Sequence, residues 1–336
     1  MQGTETVQSF ACPNYSGLLY NKANTKTPFL NMISGNVKYT NSVEFVTGQF
    51  YSSEEGEIPE ISETGSLTAP QASFVTRNQL TNVTQIFMES VAISYAKQSN
   101  MATLSGINVA GQVANPGNEL DFQVARKMEK IKRSIEKTFI QGEFNKATKD
   151  TEVNKTRGMV QAITTNVVDA TSKKLTLWLV DEVVEKISNA GGEIDNLVVL
   201  MNSKNLLQLH ANAIELGMPV GSEYTTAYGI QVRDLILPVG TTVRVALGEF
   251  IPEGTALVIN QSVIGPVEQP VPGKGNFFLE PLAKTGAGEK YQIFGQIGLD
   301  HGPEWYHGKI TGLSTEFAEP VGQKVVTVTE TTNVSA

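Results

Sequence analysis

Phe74-Val75-Thr76-Arg77-Asn78-Gln79-Leu80-Thr81-Asn82-Val83-Thr84-Gln85-Ile86-Phe87-Met88-Glu89-Ser90-Val91-Ala92-Ile93-Ser94 contains neither Gly nor Pro and is dense in β-formers. As one straight strand it would reach roughly 70 Å, at about 3.3 Å per residue. A compact chain of this size has a diameter of only about 50 Å, and natural strands usually stop by about ten residues. The segment therefore either bends sharply or projects from the body onto other molecules. Projection is the expectation taken forward.

Upstream lies its tip. Glu54, Glu55, Glu57, Glu60 and Glu63 crowd a ten-residue stretch with no base between them, broken by Gly56 and Pro59. Such a run is either a solvated loop or a contact waiting for a basic surface. Residues 36–51 alternate as the outgoing strand. The polar stretch 1–35 offers one helical turn at Pro28-Phe29-Leu30-Asn31-Met32-Ile33, with Thr27 as N-cap and Pro28 at the first helical position.

Downstream, residues 100–117 read as a loop and Asn118 as an N-cap. A helix over 118–144 follows, with Leu120, Val124, Met128, Ile131, Ile135 and Phe139 stepping by four or three along one stripe. Arg126, Lys127, Lys130, Arg133 and Lys137 concentrate base along its middle, as a solvated face or as an intermolecular contact. An α/β region comes next. Its helices are capped by Thr176 and Ser203, a buried strand spans Leu197–Met201, and further strands span 230–235, 242–247 and 256–259. The Gly-rich loop 217–229 carries Tyr224 and Tyr228 as amphipathic contact residues. Strands at 290–299 and 305–313 close the chain, and the Val/Thr-rich tail 324–332 can add an edge strand.

Composition narrows the function. A net charge of −8 over 336 residues argues against a dedicated nucleic-acid binder, whose footprint would be basic. The single Cys12 excludes an internal disulfide framework. No run of 18 apolar residues is present for a membrane span, and the first residues show no secretory pattern. With only 18% charged residues, much of the polar surface is expected to be covered by partners. No phosphate loop, nucleophile elbow or His-Glu-x-x-His pair occurs. Asp300, His301, Glu304 and His307 are the best metal-ligand candidates, but Gly302-Pro303 keeps a helix from aligning them, and a turn explains the same residues. No cofactor, metal or catalytic constellation is therefore assigned.

The order of parts resembles the major capsid proteins of tailed bacteriophages, with the Hong Kong 97-type fold. The residues that carry the resemblance begin with Thr27-Pro28-Phe29-Leu30, the long hairpin and the 118–144 helix. They continue with Lys155-Thr156-Arg157-Gly158, Lys284-Thr285-Gly286, and the block from Gly298-Leu299-Asp300-His301-Gly302-Pro303-Glu304 to Thr311-Gly312-Leu313. The match runs over about 27–313 and is nearest to the subset without a long scaffolding segment. It implies an α+β chain with an N-arm (1–35), an extended β-hairpin loop (36–95), and a peripheral domain (96–158) holding the spine helix. An axial domain (159–270), return strands and a tail (271–336) follow.

It also implies self-assembly in hexamers and pentamers into an icosahedral virion shell around double-stranded DNA, formed in the host bacterial cytoplasm. Portal, scaffold and decoration proteins are the further partners such shells use, and no membrane is involved. On this reading Glu54, Glu55, Glu57, Glu60 and Glu63 of one subunit meet Arg126, Lys127, Lys130 and Arg133 of another, while Tyr224 and Tyr228 approach the capsomer axis. Two other readings stay open at this point: an encapsulin-like compartment, and an α/β enzyme with its site in 159–270.

Overall fold

The 21-residue run is broken at Thr84. The computed structural model describes residues 27–51, 58, 60–69, 74, 77–96, 119–216, 225–227, 230–238 and 240–317. Within it, Arg77–Val83 (β3) pairs antiparallel with Glu44–Tyr51 (β2) as a separate two-stranded sheet. Gln85–Ser94 (β4) instead pairs along ten residues with the long strand Gly288–Asp300 (β13). The single projecting strand is thus corrected. Half of the run is hairpin, and the other half is body, with Phe87, Val91 and Ile93 buried.

The first sheet is completed by Lys38–Tyr39 (β1), Gly265–Glu268 (β11) and Phe278–Pro281 (β12), in the order β1-β11-β13-β12, with β4 on the other edge of β13. The helix Glu119–Gln141 (α2) lies across it, and of the stripe read from the sequence Val124, Met128, Ile131, Ile135 and Phe139 are buried while Leu120 is partly buried against the same core. At about 1.5 Å per residue the helix is about 35 Å long. It ends three residues before the expected boundary because its exit is clamped. Gly158 N–H donates to the Gly142 carbonyl at 2.8 Å, and a Cβ on Gly158 would sit 2.5 Å from the Gly142 nitrogen. Only a residue without a side chain allows that approach.

Pro28–Ile33 (α1) is buried at every position. Thr27 precedes it as expected, yet its side chain makes no capping bond. The cap is supplied from α2, whose Glu136 accepts from Phe29 N–H (3.1 Å) and Leu30 N–H (2.8 Å). At the far end, Asn36 Nδ2 donates to the carbonyls of Gln261, Ser262 and Ile264.

The second sheet has seven strands in the order β5-β14-β10-β6-β9-β8-β7. They are Val167–Asp169 (β5), Gly308–Thr311 (β14), Ala256–Asn260 (β10), Leu197–Met201 (β6), Thr242–Leu247 (β9), Ile230–Ile236 (β8) and Thr225–Ala227 (β7). Every residue of β6 is buried, because both faces are covered. Val198 and Leu200 join the core under α2, together with Leu257 and Ile259. Leu197, Val199 and Met201 face the helices Leu177–Asn189 (α4) and Ser203–Glu215 (α5). A short helix, Met159–Ala162 (α3), links the two regions. Thr176 caps α4 as read, accepting from Leu179 N–H at 3.4 Å. The cap of α5 moves one residue, to Asn202, which accepts from Asn205 N–H at 2.9 Å. The strand expected at 305–313 shortens to β14, since Glu304–Tyr306 forms a 3-10 turn held by Glu304 against Thr164 and Thr165.

Candidate assembly surfaces

The hairpin is rigid where it leaves the body. Asn82, fully buried, closes four hydrogen bonds with one amide. Its Nδ2 donates to the carbonyls of Leu299 (2.7 Å) and Arg157 (3.3 Å), and its Oδ1 accepts from Arg157 N–H (2.7 Å) and Val83 N–H (2.9 Å). Hairpin, first sheet and the segment 155–158 thus meet on one side chain. Across the hairpin, the register slips between Val46 and Gly48, so Thr47 is the extra residue of a β-bulge. The bulge places the buried Thr47 hydroxyl 3.1 Å from His301 Nε2.

His301 Nδ1 donates to the Gly302 carbonyl (2.8 Å), which leaves Nε2 to accept from Thr47. His307 Nδ1 accepts from Asn260 N–H (3.1 Å), and its Nε2 donates to the His301 carbonyl (2.7 Å). Burial pushes both imidazoles down, His307 to about 4, so each is held neutral in one tautomer. Of these candidate metal ligands, His301 ties the hairpin base through Thr47, and His307 holds the His301 backbone against β10.

The far end of the hairpin has the opposite character. Ile58, Ile61, Leu67 and Phe74 are exposed, Ile58 by 91% and Phe74 by 90%, beside exposed Glu60 and Glu63. Four large apolar side chains are thus exposed within the stretch that joins β2 to β3. Glu54, Glu55 and Glu57, like Tyr224 and Tyr228, lie outside the described residues.

A second apolar surface is the outer face of the first sheet. Ile86 and Met88 are more than half exposed and stand directly opposite Gln296 and Phe294 on β13. Lys290, opposite Ala92, lies on the same face.

On α2, Lys127 and Lys130 converge on Glu89 of β4 in the same chain, Lys127 at 2.9 Å. Burial works to raise the Glu89 pKa, and the two ammonium groups outweigh it, holding the carboxyl below its usual range. Arg126 pairs with Glu129 (2.8 Å) and Arg133 with Glu249 (3.1 Å). Sequence reading had no signal for Glu89 or Glu249, which come from other elements.

A family model, the SU10 major capsid protein, matches residues 1–314. The chain belongs to the SU10 major capsid protein family. Its fold is correspondingly similar to solved shells: the cyanophage A-1(L) capsid (TM-score 0.60, 10% identity, 90% of this chain and 98% of that one) and the cyanophage P-SCSP1u capsid (0.52, 9%, 94% and 93%). The SrpI encapsulin of Synechococcus elongatus is similar as well (0.57, 12%, 92% and 99%). No curated protein matches the chain by sequence. Phage capsids and an encapsulin share the fold, so the fold does not separate the two readings; the family match does. As an SU10-type major capsid protein, the chain is a structural component of the virion shell, with an α+β fold of the Hong Kong 97 type.

Proposed function

We propose that this capsid protein assembles as hexamers and pentamers into an icosahedral shell enclosing a double-stranded DNA genome, in the cytoplasm of a bacterial host. It acts as structure and not as an enzyme. The observation that carries this reading is the hairpin, pinned at its base by Asn82 and His301 yet ending in exposed Ile58, Ile61, Leu67 and Phe74. An extension built this way fits a neighbour's surface.

The surface we assign to it is the outer face of the first sheet in the adjacent subunit. Ile86 and Met88 supply an apolar floor there, and Lys290 supplies a cation for the acidic tip. Sequence reading paired the tip with the basic middle of α2. The groove bordered by Arg126, Lys130 and Arg133 has one apolar lining side chain, Phe250, which gives Ile58, Ile61 and Leu67 little floor, so we do not carry that pairing forward. In the same scheme residues 1–35 form the N-arm, and the extended loop narrows from 36–95 to the part from β2 to β3, since β1 and β4 belong to the first sheet. The axial domain is 159–270 without β11, with 217–229 and its Tyr224 and Tyr228 toward the capsomer axis. Part of that stretch is not loop: Thr225–Ala227 within it forms β7, an edge of the second sheet, which suits that position. Portal, scaffold and decoration proteins are the partners such a shell would use.

The double variant Ile61→Ser, Leu67→Ser tests hairpin exchange. Both side chains are exposed in the subunit, so its folding free energy should change by no more than about 0.5 kcal/mol. Sedimentation velocity should nevertheless show subunits or small oligomers where the parent chain forms shells. Shells of normal yield from the variant would refute the exchange.

A further inference from the structure

The two faces of α2 differ in chemistry. One is buried against the first sheet. The other carries Arg126, Lys130, Arg133 and Lys137 at steps of four, three and four, a basic line rising about 16 Å. These four cations border an open groove of about 490 Å³ whose lining holds one carboxylate, Glu129. In a chain of net charge −8, that concentration of base runs against the overall balance. Arg126 and Arg133 each give one nitrogen to a carboxylate, and Lys130 pairs with Glu89. A guanidinium has five N–H donors and an ammonium three, so each keeps donors for a second acceptor.

We infer that this groove is a phosphate-backbone contact, through which the shell rests the exposed face of α2 against the packaged duplex. The inference rests on the shell reading above and adds which face of the subunit points inward. A duplex carries one charge per about 1.7 Å of axis, so a 16 Å basic line lies along on the order of ten phosphate charges. Such contact is independent of base sequence, as a shell around a whole genome requires. The competing occupant, a neighbour's hairpin tip, fits less well. Ile58, Ile61 and Leu67 need an apolar floor, and the groove's one aromatic, Phe250, already lies beneath Arg133, whose guanidinium carbon is 5.8 Å from the ring centroid.

Lysine reactivity separates the occupants. DNA-filled particles of the full chain, and the same particles emptied by osmotic shock and nuclease, are treated with an acetylating succinimidyl ester and digested for mass spectrometry. Exposed Lys173 and Lys174 serve as references. Acetylation of Lys130 and Lys137 should be at least about fivefold slower in full particles than in emptied ones, with the references unchanged. Equal protection in both would mean that protein covers the groove, and equal full reactivity that nothing does; either overturns the inference. Failure of the chain to form particles would remove the shell reading itself, and this inference with it.

Discussion

Asn82→Ala is expected to unfold at much lower denaturant concentration than the parent chain, losing about 3 kcal/mol or more. The side chain is fully buried, and its removal strands Arg157 N–H and Val83 N–H as donors and the Leu299 carbonyl as an acceptor. Buried groups left without partners cost about 1–3 kcal/mol each, although neighbouring terms do not simply add. Asn82→Asp should be no milder. It keeps acceptors for the two N–H groups, but it turns the donor aimed at the carbonyls of Leu299 and Arg157 into a third repelling oxygen. Urea titration followed by circular dichroism measures both. A loss under about 1 kcal/mol in either variant would mean that the hairpin base is held elsewhere.

Glu136→Ala should free the N-terminal helix α1 at a cost of about 2–4 kcal/mol, since Phe29 and Leu30 lose the acceptor of their first-turn N–H groups inside a buried core. Hydrogen exchange over 28–36 reads this directly. A pH dependence accompanies it. Burial pushes the Glu136 carboxyl up to about 8, against the two backbone donors, which favour its charged form. The folded state therefore holds a proton that the unfolded chain releases near pH 4.5. Stability from this group is complete below about pH 4.5 and is lost as pH rises through about 8.

His307 has the opposite sign. Its pKa is lowered to about 4 from 6.5, so its contribution is present above about 6.5 and lost on acidification. Lys132, lowered by burial from 10.5 to about 8, acts mainly above pH 8. Between pH 6.5 and 8, then, Glu136 should make stability fall with rising pH, and Glu136→Gln should flatten that slope. An unchanged slope in the glutamine variant would assign the effect to another group.

What could be read from the sequence was whatever local periodicity controls. The α2 stripe, the buried strand Leu197–Met201 and strand Thr242–Leu247 stand where the pattern puts them. The errors share a cause. Nothing local breaks the chain at Thr84; the turn is held by Asn82 bonding to residues 75 and 217 positions away, and by Thr84 Oγ1 donating to Gln269 Oε1 at 2.6 Å. The cap of α1 is a carboxylate more than 100 residues on, so Thr27 was the only visible candidate. Likewise, the partners of the α2 bases, Glu89 and Glu249, come from outside the helix. Gly48 was the one local hint of the bulge, because a glycine inside a strand often marks one.

A closed shell of this chain requires one subunit to repeat in fivefold and sixfold surroundings. Electron cryomicroscopy of the purified full-length protein tests it most directly. The account predicts closed particles whose maps show both pentameric and hexameric capsomers, each hairpin lying across the outer sheet of its neighbour. A population of monomers at assembly concentrations, or particles in which the hairpin folds back on its own subunit, would contradict it.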